Sequence, residues 1–259
     1  MGDTLNKCFQ LILLFSIGFS GPQWENSFTG LLSPGRHEIG LFSSFRMGLN
    51  NGSDISVNKF LLLPNVSYKT ELPRFNNWEM AYGIQVAYPT IAMRWLQSPL
   101  GMKLGEPDMF ALISPEFTIP QMLSVYGEIM GTKGTPLEGL LSINGGLGIG
   151  LNGKGLAQRA TIDLPIIYPR LSVYYNGLLI KVGSDYFRQL KGRWFYMIDY
   201  DMFFMPGGDG RFAFEHKGLL VWSKNEKFRI LFGYKLVAGE YPYGSQAHLF
   251  PAVDFQFGW

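Results

Sequence analysis

The sequence predicts an all-β fold: a transmembrane antiparallel up-and-down β-barrel of about ten strands, with twelve as the alternative. Three observations support this prediction. Apolar and polar residues alternate with a period of two along most of the chain, which gives each strand one apolar and one polar face. Charged residues make up only 16% of the chain and aromatic residues reach 15%, whereas a typical soluble domain has about 25% charged residues. Beyond the amino end, no segment is apolar for the ~20 residues that a transmembrane helix needs.

The amino end has the pattern of a secretory signal peptide. Lys7 precedes an apolar run at 8–19, and small residues lie just before a possible cleavage point after Ser20. A run of about twelve apolar residues is too short to cross a bilayer as a helix. We therefore expect cleavage near Ser20 rather than a retained anchor.

The apolar faces of the predicted strands carry aromatic residues at their ends. A soluble β-sandwich also alternates, but its inward faces would be mainly aliphatic and its outer faces rich in Lys and Glu. Aromatic residues at both ends of an apolar face are typical of the girdles at the two interfaces of a membrane barrel. The pairs that show this are Trp78 and Tyr88, Trp194 and Phe204, and Phe212 and Trp222.

The strand boundaries are predicted from the alternation of apolar and polar residues and from the lengths of the connections. They are predicted at 36–49, 55–70, 77–96, 117–130, 138–151, 170–188, 193–205, 211–223, 228–240 and 247–259. An even number places both ends of the chain on one side, with short turns there and longer loops opposite. The short turns are 71–77, 131–137, 189–193 and 223–227, and the longest opposite connections are 96–116 and 152–169.

One local signal leaves the strand number open. The sequence YNG at 175–177 is a hairpin signal between two apolar runs, and a break there gives eleven strands. A further strand within 108–120 would restore an even number and give twelve. Ten is preferred because the alternation through Leu178, Ile180 and Val182 continues without a break.

The carboxyl end carries the most specific pattern in the chain. In AHLFPAVDFQFGW, apolar residues share one parity and the chain ends on an aromatic residue. This segment resembles the carboxy-terminal insertion signal of bacterial outer-membrane β-barrel proteins, in which the last residue is usually Phe and is Trp here. The residues that carry the resemblance are Val253, Phe255, Phe257 and Trp259.

The resemblance implies a location and a route. It implies export, insertion by the barrel-assembly machinery, and residence in the cell outer membrane in contact with lipid and lipopolysaccharide. The implied organisation is a signal peptide at 1–20, a periplasmic segment at 21–35 and an outer-membrane barrel at 36–259.

The polar parity predicts a charged lumen. A small barrel is filled by its side chains, and buried charges need partners. We therefore expect a charge network between strands that plugs the barrel or, alternatively, lines a narrow porin-like channel for a small solute; a wide porin needs ~16 strands. The predicted network is Lys181, Asp185, Asp199, Asp201, Arg211, Glu215, Lys217, Lys235 and Asp254. The same parity also turns Glu38, Arg46, Lys59, Glu79, Glu128 and His248 inward.

Catalytic and cofactor signals are weak. Some outer-membrane lipid A deacylases carry Glu-His-x-Ser on a strand; Glu215 and His216 match its start, but Gly218 stands where the serine nucleophile would be. The glycine-rich run 144–150 lacks the following helix that a dinucleotide site requires. With a single Cys, three His and a net charge of +2, we expect no catalytic residue, metal, cofactor or nucleic-acid partner. The alternative function is an enzyme that modifies lipid A or phospholipid.

Overall fold

The computed structural model describes residues 28–59, 63–98, 119–136, 139–152, 165–207, 210–241 and 244–259. They form a closed antiparallel barrel of twelve strands, in which each strand pairs with its neighbours along the chain and the first pairs with the last. The strands are β1 (His37–Gly40), β2 (Phe45–Leu49), β3 (Ser53–Asn58), β4 (Asn65–Phe75), β5 (Trp78–Ala87), β6 (Leu123–Gly134), β7 (Gly139–Asn152), β8 (Leu178–Lys191), β9 (Trp194–Phe204), β10 (Phe212–Asn225), β11 (Phe228–Tyr241) and β12 (Gly244–Gly258). Two helices, α1 (Thr90–Gln97) and α2 (Tyr168–Asn176), lie in the connections.

The fold class is confirmed, and the strand number is the alternative of twelve rather than the preferred ten. The two additional strands come from the amino-terminal part. The predicted strand 36–49 is the hairpin β1–β2, and 55–70 contains β3 and the first part of β4. Even-numbered residues face inward in both β1 and β2, so the alternation continues across the bend and hides it. Pro64, which cannot donate to a strand ladder, lies just before β4.

The other corrections concern helices. The predicted strand 77–96 ends at Ala87, and α1 follows Pro89. The predicted strand 170–188 begins instead with α2, which ends at Gly177 in a left-handed conformation (φ 75°). The YNG signal therefore ends a helix rather than forming a hairpin. Most of the other candidate strand, 108–120, lies outside the described residues.

The two ends of the barrel differ in their connections. One end holds both termini of the barrel and the tight turns at 50–52, 76–77, 135–136, 192–193 and 226–227. Four of these turns overlap the predicted short turns. We call this the terminal end and the opposite end, which holds α1 and α2, the loop end. Within the described ranges, neither helix is long and apolar enough to cross a membrane.

The last strand closes the barrel. His37 N donates to Trp259 O at 2.9 Å, and Trp259 N donates to His37 O at 3.0 Å. Glu38 faces Gly258 in the β1–β12 ladder. The apolar alternation at the carboxyl end thus belongs to the strand that joins the two ends of the sheet.

An apolar core closes the loop end. Side chains of α2, including Tyr168 and Leu171, are buried against inward residues of the wall such as Phe203 and Val237. The helix approaches the wall closely at Gly150, where an added Cβ would overlap the carbonyl oxygen of Val173. Residues of α1 join the same core. The core therefore anchors α2 inside the mouth of the barrel.

Candidate functional site

The centre of the lumen holds ion pairs between adjacent strands. Lys217 Nζ on β10 lies 2.6 Å from Asp199 Oδ2 on β9, and the two residues face each other in the ladder. Lys181 Nζ on β8 lies 2.9 Å from Asp201 Oδ1. All four side chains are buried. The pairs form because residues two apart on one strand face the same side and meet the inward residues of the next strand.

Glu215 joins the network to α2. Its carboxylate accepts hydrogen bonds from both terminal nitrogens of Arg170, one of them at 2.8 Å, and lies 2.7 Å from Lys235 Nζ. Burial disfavours the charged form of Arg170, but the adjacent Glu215 outweighs it and raises the guanidinium pKa above its ordinary value. One carboxylate therefore compensates two cations, the buried Lys235 and the half-buried Arg170 of α2.

Three of the predicted network residues have other surroundings. Asp185 is buried; Asn144 Nδ2 lies 3.4 Å from Asp185 Oδ2, and Asp185 Oδ1 has no hydrogen-bond partner among the described residues. Arg211 precedes β10 and is exposed at the loop end, so parity does not bring it inward. Asp254 accepts a hydrogen bond from Phe42 N at 2.9 Å and belongs to the β1–β2 bend, away from the central pairs.

A second cluster lies towards the terminal end. Arg46 is fully buried and its Nη2 lies 2.6 Å from Asp54 Oδ2. Lys69 Nζ donates to the carbonyl oxygens of Phe28 and Gly30, each at 3.1 Å. This cluster therefore holds the segment that precedes β1 inside the barrel.

Arg170, Asp54 and Lys69 contribute to these charge clusters but were not predicted from the sequence. Asp54 lies just outside the predicted strand 55–70, and Lys69 shares that predicted strand with Lys59 although the chain reverses between them. Arg170 lies on α2, where strand parity does not apply. The signals that could have found these residues are Pro169 in the first turn of α2 and Pro64 before β4.

The remaining inward predictions lie near the ends of the wall. Glu38 is buried 3.8 Å from Arg46. Glu79 forms an exposed pair with Arg74 at 2.7 Å. Lys59 Nζ contacts Gly40 O. His248 Nε2 lies 2.9 Å from Gln246 Oε1. These four contacts do not join the central pairs.

A cavity of about 180 Å³ lies between α2 and the β3–β8 part of the wall. Its lining includes Arg170, Lys181, Lys69 and Glu128, so it separates the central pairs from the terminal cluster. Tyr174 of α2 closes one side, and its hydroxyl lies 2.9 Å from Ser124 Oγ. Burial raises the pKa of Tyr174 to about 12, so this hydroxyl stays neutral. The cavity is large enough for a small organic molecule.

His216 lies on the outer face of β10. Its Nε2 is 2.9 Å from the Tyr234 hydroxyl, and its Nδ1 is 3.0 Å from Asp199 O. The Tyr200 ring stacks on it with centroids 4.3 Å apart. The Tyr234 ring covers Gly218, where an added Cβ would lie 2.8 Å from a ring carbon. A histidine and a hydroxyl thus meet on the outer wall, but the hydroxyl is a phenol and not the serine of the resemblance.

The predicted insertion-signal residues point outward from β12. Val253, Phe255, Phe257 and Trp259 are all exposed. Phe257 packs against Phe228 of the neighbouring strand β11, with ring centroids 5.2 Å apart. These side chains form part of the apolar outer wall.

Other kinds of site have little support. Among the described residues, no group of three or more His, Cys, Asp or Glu side chains is placed to hold a metal ion. No protein-family model matches the chain, and no curated protein matches its sequence.

Proposed function

We propose that this chain is an integral barrel of the bacterial outer membrane, with a lumen occluded by paired charges that admits at most a small solute. The observation that carries this proposal is that apolar side chains face outward and charged side chains face inward, the reverse of a soluble protein. Outward residues such as Ile84, Ile143 and Leu147 are 45%, 47% and 46% exposed, whereas inward Arg46 and Glu215 are 0% and 2% exposed. A surface of this kind is stable in lipid and would promote aggregation in water.

Strand lengths support the membrane assignment. Strands β4 to β12 have 10 to 15 residues. A tilted strand needs about 9–11 residues to cross the hydrocarbon core. Barrel closure satisfies the edge hydrogen bonds that lipid cannot. The carboxy-terminal pattern adds the expected partners, the barrel-assembly machinery and lipopolysaccharide.

The lumen favours a narrow or closed interior. The segment at 28–33 lies near the terminal cluster, α2 lies in the mouth, and the ion pairs occupy the space between them. The cavity beside α2 provides a path for a solute within the described part of the lumen. We therefore propose a structural barrel or a solute-selective channel rather than an open pore.

A second candidate function is modification of membrane lipid. The observation that favours it is the contact between His216 Nε2 and the Tyr234 hydroxyl on the outer wall, because histidine activates a nucleophile through such a contact. Gly218 leaves the serine position empty, so the barrel function is the main proposal. Unchanged acyl chains in lipid A and phospholipid after expression would exclude the enzyme.

The test is expression of the full chain in a double-membraned bacterium, followed by separation of the two membranes. We expect the protein in the outer membrane, with a mobility on gels that changes on heating. The Trp259→Asp variant is the matched control, since it places a charge at the end of the apolar row and should reduce insertion. A wild-type chain recovered in a soluble fraction would contradict the proposal.

A further inference from the structure

The cavity beside α2 contains a carboxylate that forms no hydrogen bond or ion pair with the described residues. The carboxylate of Glu128, on β6, faces the cavity and makes no hydrogen bond or ion pair within the described part of the chain. Gly83 lies opposite on β5, where a Cβ would approach Glu128 Oε1 to 3.2 Å. The glycine therefore leaves room for the carboxylate against the wall. A carboxylate that lines a cavity without a hydrogen bond or ion pair is stabilised when a cationic ligand compensates its charge.

The cations that line the cavity are already engaged. Arg170 bonds to Glu215, and Lys181 pairs with Asp201 at 2.9 Å. Lys69 donates to two backbone carbonyls and lies 3.9 Å from Asp54. Among the described residues that line the cavity, Glu128 is therefore the charged group that no hydrogen bond or ion pair engages. This arrangement favours a ligand that carries one cationic group.

Neutral polar groups complete the lining. The Tyr126 hydroxyl is buried and has no hydrogen-bond partner among the described residues, and a Cβ at Gly146 would overlap it. Ser56, Ser67 and Gln85 also line the cavity, and their side chains make no hydrogen bond in the described part of the chain. Hydroxyl and amide groups of this kind both donate and accept, which suits the hydroxyl groups of a ligand.

The volume limits the size of the ligand. An apolar cavity of about 150 Å³ in another protein holds benzene. The cavity here is about 180 Å³. It therefore fits a molecule on the order of ten non-hydrogen atoms.

We propose that the cavity binds a small hydroxylated amine of the amino sugar class, with its ammonium group on Glu128 and its hydroxyl groups on Tyr126, Ser56, Ser67 and Gln85. This inference deepens the proposed function by naming the solute class, and it requires only that the barrel fold as described. A charge-assisted bond from ammonium to carboxylate is stronger than a bond between neutral groups. Affinity should therefore follow the charge of the solute rather than its size.

The test compares three probes of similar size and different charge. The full chain, refolded in detergent, is titrated by calorimetry with glucosamine, glucose and glucuronate. We expect glucosamine to bind at least about tenfold more tightly than glucose, since a hydrogen bond to a charged group contributes about 1.5–3 kcal/mol. Glucuronate should bind most weakly. Equal affinities, tighter binding of glucuronate, or binding of none of the three would overturn the inference.

Two variants assign the effect to the cavity. Glu128→Gln keeps the side-chain shape and should reduce the affinity for glucosamine to that for glucose. Glu79→Gln removes a carboxylate from the exposed pair at the terminal end and should leave all three affinities unchanged. A preference for glucosamine that persists in folded Glu128→Gln protein, shown by heat-modifiable mobility, would also overturn the inference. The titration is independent of cellular location, so its failure and a failed membrane fractionation can be distinguished.

Discussion

Glu215→Gln should be among the most destabilising conservative changes in the barrel. The substitution keeps the size of the side chain but removes the negative charge that compensates Arg170 and Lys235. The Glu215 side chain is only 3% exposed, so water cannot replace the lost carboxylate. Removal of one partner from a buried ion pair lowers stability by about 3–5 kcal/mol. We expect a loss in that range.

The exposed pair between Arg74 and Glu79 provides the matched comparison. Its side chains are 75% and 57% exposed, and ion pairs of this kind contribute about 0–1 kcal/mol. Both Glu79→Gln and Glu215→Gln are measured by urea unfolding of the barrel in phospholipid vesicles, followed by tryptophan fluorescence. Equal losses of unfolding free energy in the two variants would show that Glu215 does not compensate Arg170 and Lys235.

Three further predictions follow from the same geometry. Asp199→Ala together with Asp201→Ala leaves two lysines without a counterion, so conductance in planar bilayers should rise and become selective for anions. Unchanged conductance and unchanged stability would show that the pairs do not close the lumen. Gly150→Val should displace α2 and lower the unfolding midpoint, whereas Gly145→Val, where a Cβ has open space, should not; the same midpoint in both variants would argue against close packing of α2. Ile84→Arg should lower the unfolding free energy in vesicles by about 2–4 kcal/mol, as for an arginine at the bilayer midplane, and Ile84→Leu should have little effect; an arginine tolerated as well as leucine would place this face away from lipid.

The alternation of residues predicted the long strands well. Segments such as 194–204 and 228–241 have one apolar and one polar face along the whole strand, as expected for the proposed membrane barrel with paired charges inside. The prediction merged the short strands β1 to β3 with neighbouring strands. Alternation indicates which side of the sheet a residue faces but not where the chain reverses, so a bend that keeps the same inward positions cannot be detected from it.

The helix α2 was predicted as part of a strand for a related reason. Its sequence, YPRLSVYYN, has three Tyr and one Val, which favour strands, and it lies within an apolar stretch. Packing inside the mouth of the barrel outweighs this local preference. The markers of a helix were present in Pro169 near its start and Gly177 after its end.

The site was predictable where strand parity applies. Lys181, Asp199, Asp201, Glu215, Lys217 and Lys235 lie inward on long strands and form pairs. Arg211 precedes the first residue of β10, and its side chain is exposed at the loop end. The surroundings of Arg170 and of the Glu128 carboxylate depend on the position of α2. That position follows from tertiary packing and cannot be predicted from the alternation of apolar and polar residues.

The most direct test of membrane insertion measures contact between the outer wall and lipid. Trp194 lies on the outer face and is 42% exposed, whereas Phe203 faces inward and is 3% exposed. One variant keeps Trp194 as its sole tryptophan, and the other carries only the Phe203→Trp substitution, with the remaining tryptophans changed to Phe in both. In vesicles of brominated phospholipid, the fluorescence of Trp194 should be strongly quenched and that of the Phe203→Trp probe should not. Absence of quenching at Trp194, or equal quenching at both positions, would contradict a barrel that spans the membrane with its apolar wall in lipid.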